Sequence, residues 1–458
     1  YKRNEYIYRN KPHDTVKKLL TSVAVLIFAA CSQSPDEGIL TGTNPIISGQ
    51  FTADPTARVF EGKIYMYPSH DIPSVITHHD GSAWFSMPDY HVFSSEDLAS
   101  WTDHGVILRQ EDVPWGKPDA YAMWAPDCVQ KDGKYYFYFP DAPAAGWGFG
   151  IGVAVADNPE GPFTPQQKPI EGVVGIDPCV MIDDDGKAYI YWSGMGLRGC
   201  RLADNMLELE GEQVRLDEPL PEGFKEGPFA FKRNGRYYLT YPWVRKDTEA
   251  LAYAMSDNPL GPFEYKGIIM KESPTGCWTN HHSLVEYKGE WYLFYHHNDY
   301  SPHFDKNRSA RIDRVFFNDD GTIQEVVPTL RGVGPVKATS QVHIDRYSSI
   351  EGARIEYVDT TDYFKGWKTV FAKSGDNVCF NDLDFGRKAL KTVSLRVKAQ
   401  AGGRLALTAG ETAEFDIPKS GEWIEVTCRM PFKVKNMHDI KVELVSDAEI
   451  EIDWITFK

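Results

Sequence analysis

A short pattern that recurs five times along the chain restricts its fold more than any other feature. Each copy is a glycine, a polar, mostly charged residue, then an alternating run rich in aromatics: Gly62-Lys-Ile-Tyr-Met-Tyr67, Gly133-Lys-Tyr-Tyr-Phe-Tyr138, Gly186-Lys-Ala-Tyr-Ile-Tyr191, Gly235-Arg-Tyr-Tyr-Leu-Thr-Tyr241 and Gly289-Glu-Trp-Tyr-Leu-Phe-Tyr295. Alternation with period two reads as a strand leaving a tight turn. Successive glycines stand 71, 53, 49 and 54 residues apart, room for about four short strands with their loops, which is one blade of a β-propeller. A second repeat keeps the register: Ala154-Val-Ala-Asp-Asn-Pro-Glu-Gly-Pro-Phe163 returns 100 residues later as Ala254-Met-Ser-Asp-Asn-Pro-Leu-Gly-Pro-Phe263, with Val92-Phe-Ser-Ser-Glu-Asp-Leu-Ala-Ser-Trp101 as a looser copy. It reads as an outer strand closed by a Pro/Gly turn, scaffold rather than chemistry.

The chain is therefore expected to be all-β, with a five-bladed propeller over residues 41–335. Arg331-Gly-Val-Gly-Pro335 reads as a linker, after which short alternating strands resume in Val393-Ser-Leu-Arg-Val397, Gly421-Glu-Trp-Ile-Glu-Val426 and Ile450-Glu-Ile-Asp-Trp-Ile-Thr-Phe457. These predict a β-sandwich, jelly-roll-like, over residues 336–458. Residues 1–40 are set aside as a targeting segment and tail. Lys17 and Lys18 precede an apolar run from Leu19 to Ala30 that is too short to span a bilayer as a mature helix.

A net charge of −16 argues against nucleic acid or an anionic membrane surface as partner, because the mean field repels polyanions. The 24 tyrosines and 12 tryptophans suit surfaces on which sugars stack, so a neutral carbohydrate fits better. Beyond Cys31, six cysteines remain without a CxxC pair or a Cys/His cluster at zinc spacing. Thiolate metal sites are not expected, and buried free thiols are.

Upstream of each repeat glycine lies the strand that faces a propeller's central channel. The five read Asp54-Pro55, Trp124-Ala-Pro-Asp127, Asp177-Pro178, Glu226-Gly-Pro228 and His281-His282-Ser283. Two Asp, one Glu, one Trp and one His thus converge near one axis. Carboxyls on apolar inner strands cost desolvation energy and seldom persist without a partner or a task. An arginine such as Arg308 or Arg311 could neutralise one of them. Mutual repulsion and burial would hold another protonated near neutrality, and one neutral acid beside one ionised base is what glycosidic hydrolysis requires.

On these motifs, residues 44–335 resemble glycoside hydrolase family 43, five-bladed propellers that hydrolyse arabinofuranosides, xylosides and related linkages with inversion. Asp54 in Thr-Ala-Asp-Pro, Asp177 in Gly-Ile-Asp-Pro and Glu226 in Lys-Glu-Gly-Pro-Phe match the family's motifs in order and spacing. The resemblance implies Asp54 as general base, Glu226 as general acid and Asp177 as the group that orients the acid and raises its pKa, with Asp127 the next candidate base. Trp124 resembles the aromatic wall of the sugar subsite, with core packing as its alternative. Arg308 resembles a family arginine that contacts substrate or base, with Arg311 a neighbour that could take that part. His70 and Asp71, straight after the first repeat strand, could place polar groups at the pocket mouth for substrate binding, or belong to a solvated loop. No cofactor is required; His282 matches an axial histidine that in some members helps hold a calcium or an ordered water, and a buried structural histidine is the alternative.

The resemblance implies an enzyme that removes α-L-arabinofuranosyl or β-D-xylosyl units from plant-type glycans. Its rivals are a non-catalytic glycan-binding propeller and another glycosidase specificity on the same fold, galactosidase or endo-arabinanase. A retaining fructan hydrolase is disfavoured, since its Asn-Asp-Pro-Asn-Gly opening and Glu-Cys acid motif are absent. The C-terminal part resembles family 6 carbohydrate-binding modules in Asp384-Phe-Gly386, Gly-Glu-Trp423 and the final Ile-Asp-Trp-Ile-Thr-Phe; Glu451 stands where a ligand-binding Asn is usual, so a domain that braces the propeller is the alternative. The N-terminal segment resembles a bacterial lipoprotein signal with Cys31 as the lipidated residue, which implies export and an outer-membrane, periplasmic or cell-surface location.

Overall fold

The computed structural model describes residues 44–218 and 220–458. Cys31 and the targeting segment lie outside them. Five antiparallel sheets follow one another: Ala53–Phe60, Lys63–Ser69, Asp89–Ser95 and Thr102–Arg109 in blade I; Asp127–Lys131, Lys134–Asp141, Gly150–Ala156 and Thr164–Pro165 in blade II; Ile176–Ile182, Ala188–Gly194, Gly196–Arg201 and Val214–Arg215 in blade III; Phe229–Arg233, Arg236–Val244, Glu249–Ser256 and Glu264–Met270 in blade IV; His282–Tyr287, Glu290–His297 and Ser309–Val315 in blade V. The first strand of each blade packs against those of its neighbours, and that of blade I meets that of blade V, which closes the ring.

The repeat glycines mark hairpins of one kind. Glu61-Gly62, Asp132-Gly133, Asn234-Gly235 and Lys288-Gly289 each form a two-residue loop with both residues at φ between 49° and 82°. That is the type I′ geometry, whose twist matches the strands it joins, and it favours glycine at the second position. Blade III has a longer loop, Asp183 to Lys187, with Gly186 at φ 79°.

Tyrosines of the repeat in four blades, and Tyr287 just before it in blade V, lock each blade to the next. Tyr67, Tyr138, Tyr191, Tyr238 and Tyr287 donate their phenolic O–H groups to the carbonyls of Pro159, Met206, Pro259, Gly321 and Glu96, each on the outer connection of the following blade, at 2.7–2.8 Å. A buried phenol needs such a partner, and the carbonyls of the Asn-Pro-x-Gly-Pro turns supply two of them. The N-terminal stretch completes blade V. Ile46 N–H donates to Ala310 O, Thr52 N–H to Arg308 O and Ile312 N–H to Asn44 Oδ1, all at 2.9 Å along the outer edge of Ser309–Val315.

From Val336 onward two six-stranded sheets face each other over an apolar core that includes Phe371, Phe380, Leu395, Leu407, Val442 and Ile455. This β-sandwich docks on the 298–304 loop of blade V and on Phe51, just before blade I: the Phe364 ring lies 4.7 Å from Phe51 and 5.0 Å from Tyr300, and Tyr357 Oη donates to Asp299 O at 2.8 Å. Glu451 is held by Lys368 at 2.7 Å and Lys398 at 3.3 Å, so its carboxylate is already neutralised. The six cysteines of the described residues are all free thiols.

Candidate active site

Asp54, Ala125, Asp177, Gly227 and His281 are equivalent positions at the pocket end of the five inner strands, each just before the proline, or His282 in blade V, that leads into the strand. Asp54 and Asp177 adopt left-handed backbone conformations, φ 48° and 56°, which few non-glycine residues tolerate and which cluster at functional sites. In blade IV the left-handed position is Gly227, at φ 65°, and the acid sits one residue earlier as Glu226. The cavity these strands surround has a volume of about 390 Å³. Asp54, Asp177, Glu226 and Trp124 line it, as do Arg308, His281 and a further acid, Glu249.

Asp54 is fixed from two sides. Arg308 Nη1 donates to its Oδ1 at 2.7 Å, and its backbone N–H donates to His296 Nδ1 at 3.0 Å. Accepting there leaves the proton of His296 on Nε2, which faces the Thr279 carbonyl at 3.2 Å. Arg308 is itself clamped by Asp71 through Nε and Nη2, both at 2.9 Å, and stacks over Phe85 at 4.8 Å. Bidentate pairing fixes the guanidinium plane, so Arg308 presents one remaining arm to Asp54 in a set direction.

The other three acids have no such cation pair. Burial raises Asp177 well above the ordinary carboxyl range, with repulsion from Glu226 and Asp54 adding to it. Burial also raises Glu226, opposed by nearby Lys225 and reinforced by Asp54. Glu249 is pushed well up by burial and by Glu226; its Oε2 accepts the Asn280 N–H at 2.8 Å and its Oε1 has no partner among the described residues. The site therefore holds one carboxylate paired to a guanidinium and three carboxyls whose hold on a proton is strengthened by burial. Opposed environments of this kind divide acid from base on a single fold.

Several expectations find a different place. His70 and Asp71 do not line the cavity: Asp71 is buried behind Arg308 as its clamp, and His70 turns to Asp89 at 2.8 Å. Arg311 pairs with Asp299 through Nε at 2.9 Å, away from the cavity, so the arginine beside the base is Arg308. Asp127 is locked by Arg58 and by the Cys128 and Val180 N–H groups below the cavity floor, which leaves it no free oxygen lone pair directed at a substrate. His282, expected at the axis, is fully buried; its Nε2 meets Thr240 Oγ1 at 2.6 Å, and its Nδ1 has no partner among the described residues. The histidine on the wall is His281, whose imidazole burial drives down to about 4.

Glu249 escaped the sequence reading because it belongs to the third strand of its blade rather than the first. Its signal was present: in Glu249–Ser256, eight buried residues in a row, it is the one charged group. Trp84 and Phe85, also on the wall, come from the long connection between the second and third strands of blade I, where no repeat marks them.

A second cavity, about 680 Å³, opens beside the first and shares Trp124, Ile176, Lys225 and Glu226 with it. Its rim carries three of the most exposed large apolar side chains of the described residues, Trp147 at 86%, Met195 at 77% and Val174 at 60%. Glu226 thus stands at the boundary between a compact chamber and an open aromatic groove.

The sequence model of glycosyl hydrolases family 43 matches residues 42–323. A xylosidase/arabinosidase, 43A, from Humicola insolens is 41% identical over 61% of this chain and 98% of its own. A solved GH43 beta-xylosidase/alpha-arabinofuranosidase from a compost microbial metagenome, in complex with xylotriose and in a calcium-free form, is 38% identical and superposes with a TM-score of 0.58 over 62% of this chain and 97% of its own. An arabinoxylan arabinofuranohydrolase from Bacillus subtilis, at 24% identity and a TM-score of 0.53, extends the likeness of fold to 91% of this chain and 99% of its own.

Proposed function

Since the chain belongs to glycosyl hydrolases family 43 and is a glycosidase, we propose that it removes terminal arabinofuranosyl or xylosyl units from xylan-type glycans with inversion, using Asp54 as base and Glu226 as acid. The observation that carries this reading is the placement of Glu226 between two cavities while Asp54 stands within the smaller one, paired to Arg308. The chamber of about 390 Å³ is near the lower end of ligand-pocket sizes, which suits one sugar ring rather than a chain.

In this reading the ring enters the chamber against Trp124, with Arg308 and His281 available to its hydroxyls. Asp54, paired to Arg308, takes a proton from a water that attacks the anomeric carbon. Glu226, kept protonated by burial and by Asp54, gives its proton to the departing oxygen, which leaves toward the groove. Asp177, tied to the backbone beside Glu226, keeps negative charge on that acid unfavourable. Xylosidase and arabinofuranosidase names among its relatives, and xylotriose bound in one of them, support pentosides as the substrate class.

The test is a panel of nitrophenyl pentosides followed by proton NMR of the first-formed sugar. Release of arabinose or xylose with inverted anomeric configuration is expected. No turnover on any pentoside would favour another glycosidase specificity on the same fold, and net retention would sink the assigned roles.

A calcium at the propeller axis fits the structure in one respect: His282 Nδ1 is a buried nitrogen without a partner among the described residues, while no group of three or more His, Cys, Asp or Glu ligands among them includes His282. Calcium prefers six to eight oxygen ligands, so water would have to supply most of them. When bound, the ion would supply a fixed positive charge at the axis. Export as a lipoprotein rests on the apolar run ending at Cys31. Incorporation of labelled palmitate that is lost in Cys31→Ala would support that location, and equal labelling of both proteins would remove it.

A further inference from the structure

Blade I carries a group of ligating side chains that the proposed hydrolysis does not use. His70 follows the second strand, and Asp89 and His91 lie two apart on the third, so they point to the same face. One ligand atom from each lies within 4.8 Å of the other two. His70 Nδ1 is 2.8 Å from Asp89 Oδ1, and His91 Nε2 is 3.8 Å from the same oxygen. The far nitrogen of His91, Nδ1, is 3.1 Å from Asp103 Oδ1 on the fourth strand, and that oxygen also accepts the Gly105 N–H at 2.7 Å. A carboxylate behind an imidazole holds the proton on the rear nitrogen and turns the front nitrogen into a donor of electrons, the arrangement that orients metal-bound histidines. Arg109 approaches the other Asp89 oxygen, Oδ2, only to 3.9 Å.

From this geometry we infer that His70, Asp89 and His91 form a binding site for a first-row transition cation, with Zn²⁺ the best match, and with a fourth position left to water. Two imidazoles and one carboxylate are the donor set that zinc takes in open tetrahedral sites, whereas calcium and magnesium seek oxygen. The site differs from the axis in place and in ligands. It ties together the two ends of the connection from residue 71 to residue 88, and that connection supplies Asp71 to Arg308 and Trp84, Phe85 and Met87 to the chamber wall. A cation bound there fastens the wall of the sugar chamber at its base.

The test uses the full chain, stripped with chelator and dialysed, then titrated with Zn²⁺ by calorimetry and with Co²⁺ by visible absorption. Saturable one-to-one binding is expected, with the intense d–d bands of a four-coordinate cobalt site and a rise in Tm with Zn²⁺ that Asp89→Asn loses. Asp89→Asn and His91→Ala should abolish it. Asp103→Asn, which leaves all three ligands in place, should weaken it by about 10- to 100-fold, and His282→Ala should leave it unchanged. Absence of saturable binding would overturn the site and leave a hydrogen-bonded His–Asp array; wild-type affinity in Asp89→Asn and His91→Ala would move the metal elsewhere. If those variants do not fold, footprinting of the wild type with diethyl pyrocarbonate decides: Zn²⁺ must protect His70 and His91 while exposed His79 stays reactive, and equal reactivity with and without Zn²⁺ would refute the site.

Discussion

The backbone N–H of Gly227 donates to Oδ2 of Asp177 over 3.0 Å. The acid of blade III is thereby held against the backbone of the residue that follows Glu226, which fixes the Asp177 end of the pair. One amide donor favours an ionised Asp177, but it is outweighed by burial and by Glu226, which push the same group up. The pair behaves as a unit that keeps one proton between its members above the ordinary carboxyl range.

Gly227→Ala should break this unit. The residue sits at φ 65°, and an added Cβ would lie 2.9 Å from His281 Nδ1 and 2.9 Å from Pro242 Cγ, so neither the conformation nor the space accepts it. A loss of about 1–3 kcal/mol in stability is expected from the strained backbone, together with at least a tenfold fall in kcat, because the peptide that positions both acids must shift. Urea denaturation and steady-state kinetics check the two effects. Unchanged kcat in a folded variant would mean that the Asp177–Glu226 spacing is not set here.

Glu249→Gln separates stability from pH. The native carboxyl is raised by burial, so wild-type stability is full below the unfolded value near 4.3 and falls as pH rises through the folded one. Glutamine carries no such penalty. The Tm of the variant should therefore match the wild type near pH 4 and exceed it increasingly toward pH 8. Because Oε1 is an unpartnered atom on the chamber wall, kcat/KM on a pentoside should fall as well. A Tm difference that does not change with pH would show that Glu249 is not carrying a raised pKa.

Much of this arrangement was legible in the sequence because it follows from backbone repetition. A type I′ turn needs a left-handed pair, which exposes a glycine at four blades, the longer loop of blade III carries a left-handed glycine of its own at Gly186, and each inner strand can then be found by counting back from it. Asp54, Asp177 and Glu226 emerged in that way, as did Trp124. What stayed hidden depends on where long connections fold back. His70 and Asp71 are adjacent in sequence, yet Asp71 turns inward to Arg308 across the ring closure and His70 turns outward to blade I's own third strand. No periodicity encodes that divergence. His281 and His282 are likewise adjacent, and the structure puts His281 on the chamber wall and His282 against Thr240.

Trp147→Ala probes the groove. At 86% exposure this ring packs against little of its own protein, so its removal should not affect folding. If the leaving group lies in the groove, kcat/KM on a xylo-oligosaccharide or arabinoxylan should fall about three- to tenfold, the value of one lost aromatic contact, while nitrophenyl pentosides react as before. An equal loss on both substrate types would place Trp147 in the chemistry of the chamber instead, and no loss on either would empty the groove of function.

Asp177→Asn tests whether the second acid acts through charge. With Asp177 present, removing the last proton from the Asp177–Glu226 pair places two negative charges in one buried site, and that step sets the alkaline limb of the rate profile whichever oxygen carries the proton at rest. Asparagine keeps the shape and can never be charged. Glu226 then loses its proton against burial and Asp54 alone, which is easier, so the alkaline limb of kcat/KM should move to lower pH while the acidic limb, set by the base, stays in place. The effect should be clear on a substrate whose leaving oxygen needs protonation and weak on an activated aryl glycoside, since only the former depends on the acid. A uniform loss of rate with both limbs unmoved would make Asp177 a positioning residue for Gly227 and Glu226, and the electrostatic role would be lost while the assignments of Asp54 and Glu226 remained.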